Sequence, residues 1–461
     1  MNRRDFLKEC AAVGATGFVL SNRTLDVRMA EKHRNVLFIA IDDLNDWIGC
    51  LGGHPDAKTP NLDRLAQRGV LFTSAHCSAP ACNPSRASLM TGIIPSTSGV
   101  YKNQDPWRDF LPHAVTLPQH FMANGYKAIG RGKIYHGAWP DTNPGAWDEY
   151  IAKGSDPPAL KTHPRYMNPT GNIEWGPVDG TEEDMDDYRV ATWTAEQLLK
   201  KHNKPFFLAC GFYKPHLKWC APEEYFEMFV PESVTLPNID ENDLDDVPPI
   251  GVNMAKPQTH EKITDADAWG DAVAAYLACG TFVDRQVGRV LDALDSGPNR
   301  DSTVIVLWSD HGWHLGEKLH WKKFALWEEA THNLLMFVAP GLTRAGSRCT
   351  RPVSLLDIYP TLIDVCGLSP NPKLQGKSLL PLLENPNAHR DHPALTTHGR
   401  NNHSVRSQRW RYIRYSDGTE ELYDHNNDEL EWKNLLWGDD PDPEHRRVAD
   451  ELAKWLPKVN Y

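Results

Sequence analysis

Apolar residues run without interruption through Asn35-Val-Leu-Phe-Ile-Ala-Ile41 and stop at Asp42-Asp43. An unbroken apolar run of this length predicts a strand covered on both faces. Thr303-Val-Ile-Val-Leu-Trp308 repeats the pattern and stops at Ser309-Asp310-His311-Gly312. Phe206 to Cys210 and Leu334 to Ala339 are further runs of the same kind, and Val70 to Ser74 and Tyr126 to Ile129 read as shorter strands. Between them the apolar positions fall at helical spacing. Asn61 to Arg68 is stopped by Gly69, Ser85 to Thr91 by Gly92, and Thr116 to Asn124 by Gly125. Glu182 to His202, Ala266 to Asp295 and Leu355 to Cys366 predict longer helices.

Strands that alternate with helices predict an α/β fold, a largely parallel sheet with helices on both faces. Ligands of such sheets gather beyond the carboxyl ends of the strands. Asp42-Asp43 and Asp310-His311 each follow an apolar run, so parallel strands would bring all four side chains to one edge. After about residue 375 the texture changes. Pro381, Pro386 and Pro393 interrupt the chain, and Ser404 to Arg414 and Glu420 to Tyr423 read as antiparallel strands around the turn Asp417-Gly418. The expectation is one α/β domain over 31–375 and a smaller α+β subdomain over 376–461.

Composition narrows the function. The 461 residues are 24% charged and 40% hydrophobic, a globular mixture. A net charge of −12 argues against a general nucleic-acid binder, although a local cluster of cations can still form a pocket for a small anion. The nine cysteines show no CxxC pair and no even spacing, which excludes a small disulfide scaffold. Arg3-Arg4 ahead of the short apolar stretch Ala11 to Leu20 resembles a twin-arginine export signal over 1–30, so the expected location is periplasmic or secreted. That stretch is too short to span a bilayer, and no other is long and apolar enough, so no stable membrane insertion is expected.

The most specific motif is Cys82-Asn83-Pro84-Ser85-Arg86, continued by Ala87-Ser88-Leu89-Met90-Thr91-Gly92. It resembles the signature of the sulfatase family, in which C-x-P-S-R directs oxidation of the cysteine to formylglycine by a maturation enzyme. The chemistry suits the reaction. A hydrated aldehyde carries two hydroxyls on one carbon: one attacks sulfur, and deprotonating the other expels sulfate and restores the aldehyde. A serine would be left as a stable ester. Arg86 is expected to hold the hydrate in place.

The resemblance extends to the other motifs. Asp42, Asp43, Asp310 and His311, with the modified Cys82, match the family's metal site, and three carboxylates favour Ca2+ over Zn2+. His311 stands where many sulfatases have Asn and where the iduronate-2-sulfatase branch has His. Gly132-Lys133-Ile134-Tyr135-His136-Gly137 resembles the G-K-x-x-H element, which implies Lys133 as a sulfate ligand and His136 as the base of sulfate release. Tyr213-Lys214-Pro215-His216 resembles the element whose histidine contacts sulfate and protonates the leaving alcohol, a role that falls to His216. The stretch Asp310 to His332 is close to the iduronate-2-sulfatase type and makes Lys323 a sulfate-binding lysine. Asn333-Leu334 departs from the small-apolar-then-Pro pair often found there, a difference of packing.

The implied fold is alkaline-phosphatase-like, and the implied substrate is a sulfated saccharide. A 2-O-sulfated uronic acid in a glycosaminoglycan, or in an algal polysaccharide such as ulvan, is the first expectation. Its carboxylate needs cations other than the sulfate ligands. His398-Gly399-Arg400-Asn401-Asn402-His403-Ser404-Val405-Arg406 makes Arg400 or Arg406 the expected donor. A phosphonate or phosphate monoester hydrolase of the same superfamily is the rival activity. A catalytically dead glycan-binding protein is the rival of another class, and it expects loss of Cys82, Arg86, Lys133, His136 or His216, all of which are present.

Overall fold

The computed structural model describes residues 34–137 and 145–461. The expected α/β sheet is there. Its strands are β1 (Asn35–Asp42), β2 (Val70–His76), β3 (Lys127–Gly132), β4 (Glu149–Ala152), β5 (Phe206–Pro215), β6 (Thr303–Ser309), β7 (His332–Val338) and β8 (Ser347–Cys349). They lie in the order β8-β2-β7-β6-β1-β5-β3-β4, with the short Val353–Ser354 pairing against β2. β1 lies at the centre, parallel to both β5 and β6, and every one of its residues is buried.

Side chains alternate across β1 and define two cores. Val36, Phe38 and Ala40 join one cluster with the helices α2 (Cys82–Thr91), α3 (Leu117–Ala123) and α6 (Ile358–Cys366). Leu37, Ile39 and Ile41 join the other with α1 (Pro60–Ala66), α4 (Asp186–Leu199) and α5 (Trp269–Ser296).

One strand departs from the parallel reading. β7 is antiparallel to both β6 and β2. The connection over 310–331 contains no crossover helix long enough to carry the chain back across the sheet, so β7 must return from the edge where β6 ended. This keeps Lys323 at that edge. The pattern Glu182 to His202 also divides. Met185 is extended, with a 3-10 turn before it and α4 beginning at Asp186. α2 starts at Cys82, three residues earlier than its spacing suggested. Pro84 lacks only an N–H that the first turn leaves free, and the helix is buried on every side, so it shows no amphipathic stripe.

The C-terminal region forms the expected antiparallel sheet, β9 (Ala394–Thr397), β10 (His403–Arg406), β11 (Trp410–Arg414) and β12 (Glu420–Asp424), in sequential order. Its first strand holds the segment ahead of Cys82. Thr397 N–H donates to the Ser78 carbonyl at 2.9 Å, and the Thr396 hydroxyl to the Cys77 carbonyl at 2.6 Å. The eight described cysteines are all free thiols. Among the described residues no helix is long and apolar enough to cross a membrane. The export-signal reading over 1–30 lies outside the described residues.

Candidate active site

β1, β2, β3, β5 and β6 all end at the same edge of the sheet, and each delivers part of one cluster. β1 brings Asp42 and Asp43, β6 brings Asp310 and His311, and β3 leads into Lys133 and His136. β5 leads into His216, and β2 leads through a short loop to Cys82 in the first turn of α2. Two glycines let β3 and β5 approach there. A Cβ on Gly132, whose φ is +93°, would lie 2.0 Å from the Gly211 carbonyl oxygen, and one on Gly211 would lie 2.3 Å from that of Lys133.

The Cys82 sulfur is at the centre. Its Sγ lies 2.9 Å from Lys323 Nζ, 3.4 Å from His311 Nε2, 3.6 Å from Asp43 Oδ1 and 3.8 Å from Lys133 Nζ. Burial, reinforced by Asp42 and opposed by Lys133 and Lys323, pushes the thiol well above its usual range. Lys323 Nζ also sits 2.7 Å from Asp43 Oδ1, and Lys133 Nζ pairs with Asp42. Burial acts to raise the Asp42 carboxyl, but Lys133, then His216, Arg86 and Lys323, hold it well below the carboxylate range.

Arg86 is tied to the carboxylates beside residue 82. It donates through Nε to Asp310 at 2.7 Å, through Nη2 to Asp42 at 3.1 Å, and through Nη1 to the Lys133 and Ile134 carbonyls. Fully buried, it locks two carboxylates and the Lys133 segment together, and these bonds do not reach the atoms of residue 82. Asp43 is held in the left-handed region at φ +59°, its N–H donating to Asp310 Oδ1 at 3.0 Å.

Two features suit a cation. Asp43 Oδ2 is buried with no hydrogen-bond partner. His311 Nδ1 lies 2.9 Å from the Gly312 carbonyl, which can only accept, so that nitrogen carries the proton and the Nε2 lone pair faces Asp43, Asp310 and Cys82. One ligand atom from each of Asp42, Asp43, Cys82, Asp310 and His311 falls within 4.8 Å of all the others. A second group, Glu328, His425 and Glu431, is equally close but already paired with Arg406 and Arg411.

His216 is fixed in the same way. His216 Nδ1 donates to the Leu217 carbonyl at 2.6 Å, which turns Nε2 toward Asp43 at 3.8 Å. Burial, opposed by Asp43 and reinforced by Lys133, brings its pKa down to about 3. His136 is pushed down to about 4 by burial and then Lys133, and its Nδ1 is buried without a partner. Both line a cavity of about 300 Å3 together with Lys133, Tyr213 and Lys153.

Of the two expected carboxylate donors, Arg406 is placed elsewhere. It is buried on β10, where its guanidinium bonds to Glu328 at 3.3 Å and to the Ser407 carbonyl. Glu328, which also pairs with Arg411, draws it into the charge network under the C-terminal sheet. Arg400 stays exposed on the turn after β9, and its charge is felt by Tyr101, next to the loop that holds Asn83. Two residues were not picked out from the sequence. Asp187 accepts the Tyr213 and Lys214 N–H groups at 2.7 and 2.9 Å and so fixes the loop ahead of His216. The Tyr213 ring packs on His216, 4.6 Å between centroids. Tyr213 lies inside the quoted motif, while Asp187 gives no sequence signal beyond an acidic helix start.

The family model described as Sulfatase matches residues 34–368. This chain belongs to the sulfatase family. The model for the C-terminal region of N-sulphoglucosamine sulphohydrolase matches residues 316–460 of this sulfatase. A sulfatase from Formosa agariphila is 39% identical, over 96% of this chain and 90% of its own. Human iduronate 2-sulfatase is 31% identical, over 79% of this chain and 73% of its own. The solved phosphonate monoester hydrolase of Agrobacterium radiobacter superposes with a TM-score of 0.75 at 24% identity, over 91% and 94% of the two chains, a likeness of fold. The sulfatase described here is a sulfate ester hydrolase.

Proposed function

We propose that this sulfatase removes the sulfate of a sulfated carbohydrate with formylglycine derived from Cys82, the first substrate being a 2-O-sulfated uronic acid. The observation that carries the reading is the position of residue 82. It heads a buried helix, within 4 Å of two lysines, a carboxylate and an imidazole. Formylglycine there supplies a geminal diol, whose first hydroxyl attacks sulfur and whose second expels sulfate. Asp42, Asp43, Asp310, His311 and residue 82 would hold Ca2+, whose charge would orient and acidify that diol. Lys133 and Lys323 bind sulfate oxygens. His216 presents Nε2 to the leaving alcohol, and the incoming sulfate's negative charge raises its proton affinity. His136, neutral at pH 7, takes the proton that accompanies sulfate release.

The uronate rests on the 31% identity to human iduronate 2-sulfatase and on His311. Arg400 remains the exposed candidate for an anionic group of a neighbouring sugar. The partners of this reading are a sulfated saccharide of glycosaminoglycan or algal type and a formylglycine-generating enzyme, and the location is periplasmic or secreted.

Peptide mass spectrometry of active protein is expected to find formylglycine or its hydrate at 82. Full activity with an intact thiol would falsify the mechanism. Exhaustive chelation is expected to remove about one Ca2+ per chain, lower the unfolding midpoint and stop turnover together. A metal-free chain, verified by elemental analysis, that keeps its rate and midpoint would overturn the metal assignment. The fold shared with a phosphonate monoester hydrolase favours one second reading. Faster turnover of an aryl phosphonate than of the matching aryl sulfate would select it.

A further inference from the structure

The cavity beside the sulfate-binding cluster has a second cationic end. Three lysines surround the Tyr213 ring. Lys133 Nζ lies 5.1 Å from its centroid, Lys214 Nζ 5.5 Å and Lys153 Nζ 3.8 Å. Two are already neutralised, Lys133 by Asp42 and Lys214 by Asp156 at 3.1 Å. Lys153 is different. Its ammonium donates to the Gly154 carbonyl at 3.1 Å and is paired with no carboxylate among the described residues. It follows β4, the edge strand, and lines the same cavity as Lys133, His136 and His216.

The cavity's roughly 300 Å3 is at the small end of sites for compact ligands, the size for one sugar ring rather than an oligosaccharide. Tyr213 is a rigid wall for such a ring. Its hydroxyl donates to the Leu217 carbonyl at 3.1 Å, and its face packs on His216. A sugar with its sulfate at Lys133 and His216 would share this cavity with Tyr213 and Lys153.

We propose that Lys153, supported by the face of Tyr213, is the subsite for a second anionic group on the sulfated sugar, one pyranose ring away from the sulfate being cleaved. The assignment rests on the sulfatase reading above. A lysine ammonium is a point charge without the planar fork that selects carboxylates, so a uronate carboxylate and a further sulfate ester are both within its chemistry. Either way the residue separates dianionic from monoanionic sugars.

The test compares matched substrates on the calcium-loaded, matured enzyme. One pair is a 2-O-sulfated uronate and its carboxyl-reduced counterpart. The other is a disulfated neutral sugar and its monosulfated counterpart. In the parent, kcat/KM is expected to favour the dianionic member of at least one pair. Lys153→Ala is expected to lower that preference about tenfold through KM, Lys153→Glu to lower it further, and Lys153→Arg to restore most of it, as for a rim charge. Raising ionic strength should shrink the parent's preference and leave the Lys153→Ala ratio flat. The pair that responds identifies the carboxylate or the second sulfate as the anion. An unchanged ratio in both pairs, or a parent that turns over aryl sulfates with no preference in either, overturns the subsite while sparing the sulfatase reading. A matured parent that hydrolyses no sulfate ester overturns that reading and this assignment with it.

Discussion

Replacing Arg86 with alanine is expected to lower stability by about 3–5 kcal/mol, the cost of breaking a buried ion pair from one side, and to abolish sulfate release. The side chain is fully buried and satisfies Asp42, Asp310 and two carbonyls at once. Without it, two carboxylates face each other with no guanidinium between them, and the Lys133 segment loses its anchor. Arg86→Lys is expected to recover part of the stability and little of the rate, because an ammonium cannot span all four acceptors. Chemical denaturation and turnover, measured on the same preparations after the formylglycine content is equalised, check both outcomes. An Arg86→Ala variant that unfolds at the parent's denaturant midpoint would contradict the bridging role.

The second large effect separates the two histidines by step. With His136→Ala, alcohol should appear in a burst matching the enzyme concentration, followed by a steady rate cut by about 10^2–10^4-fold, the usual worth of a positioned acid or base. In the proposed mechanism attack on sulfur does not need His136, whereas expulsion of sulfate does. His216→Ala should show no burst. Its loss should be far larger on sugar sulfates, whose alcohols leave poorly, than on nitrophenyl sulfate. Equal losses on the two substrate types would remove the acid role from His216.

How much of this was legible in the sequence depended on whether the signal was local. The apolar runs gave β1 and β6 with their acidic ends, and parallel pairing then put Asp42, Asp43, Asp310 and His311 together. The direction of β7 was not legible, because an apolar run carries no orientation. It follows from what the 310–331 connection lacks. The start of α2 was missed because a helix buried on all sides has no polar face to mark its phase. Arg406 misled for a related reason. A polar segment resembles an exposed loop until strand pairing reveals that Val405 and Arg406 are both buried and that Glu328 waits for the guanidinium. Lys153 was invisible as an isolated lysine. Only the packing of β4 beside β3 brings it to Tyr213.

The burial of α2 has a consequence for timing. Every side chain from Cys82 to Arg86 is buried, Ser85 as fully as the cysteine, and β9 closes over the Cys77–Ser78 backbone just ahead. A second enzyme has no approach to this pentapeptide in the finished fold. If Cys82 is oxidised as proposed, the modification must therefore act on a nascent or unfolded chain, before α2 packs under the sheet. The fraction of active molecules is then decided by competition between modification and folding, and cannot be raised by treating the folded product with more of the maturation enzyme.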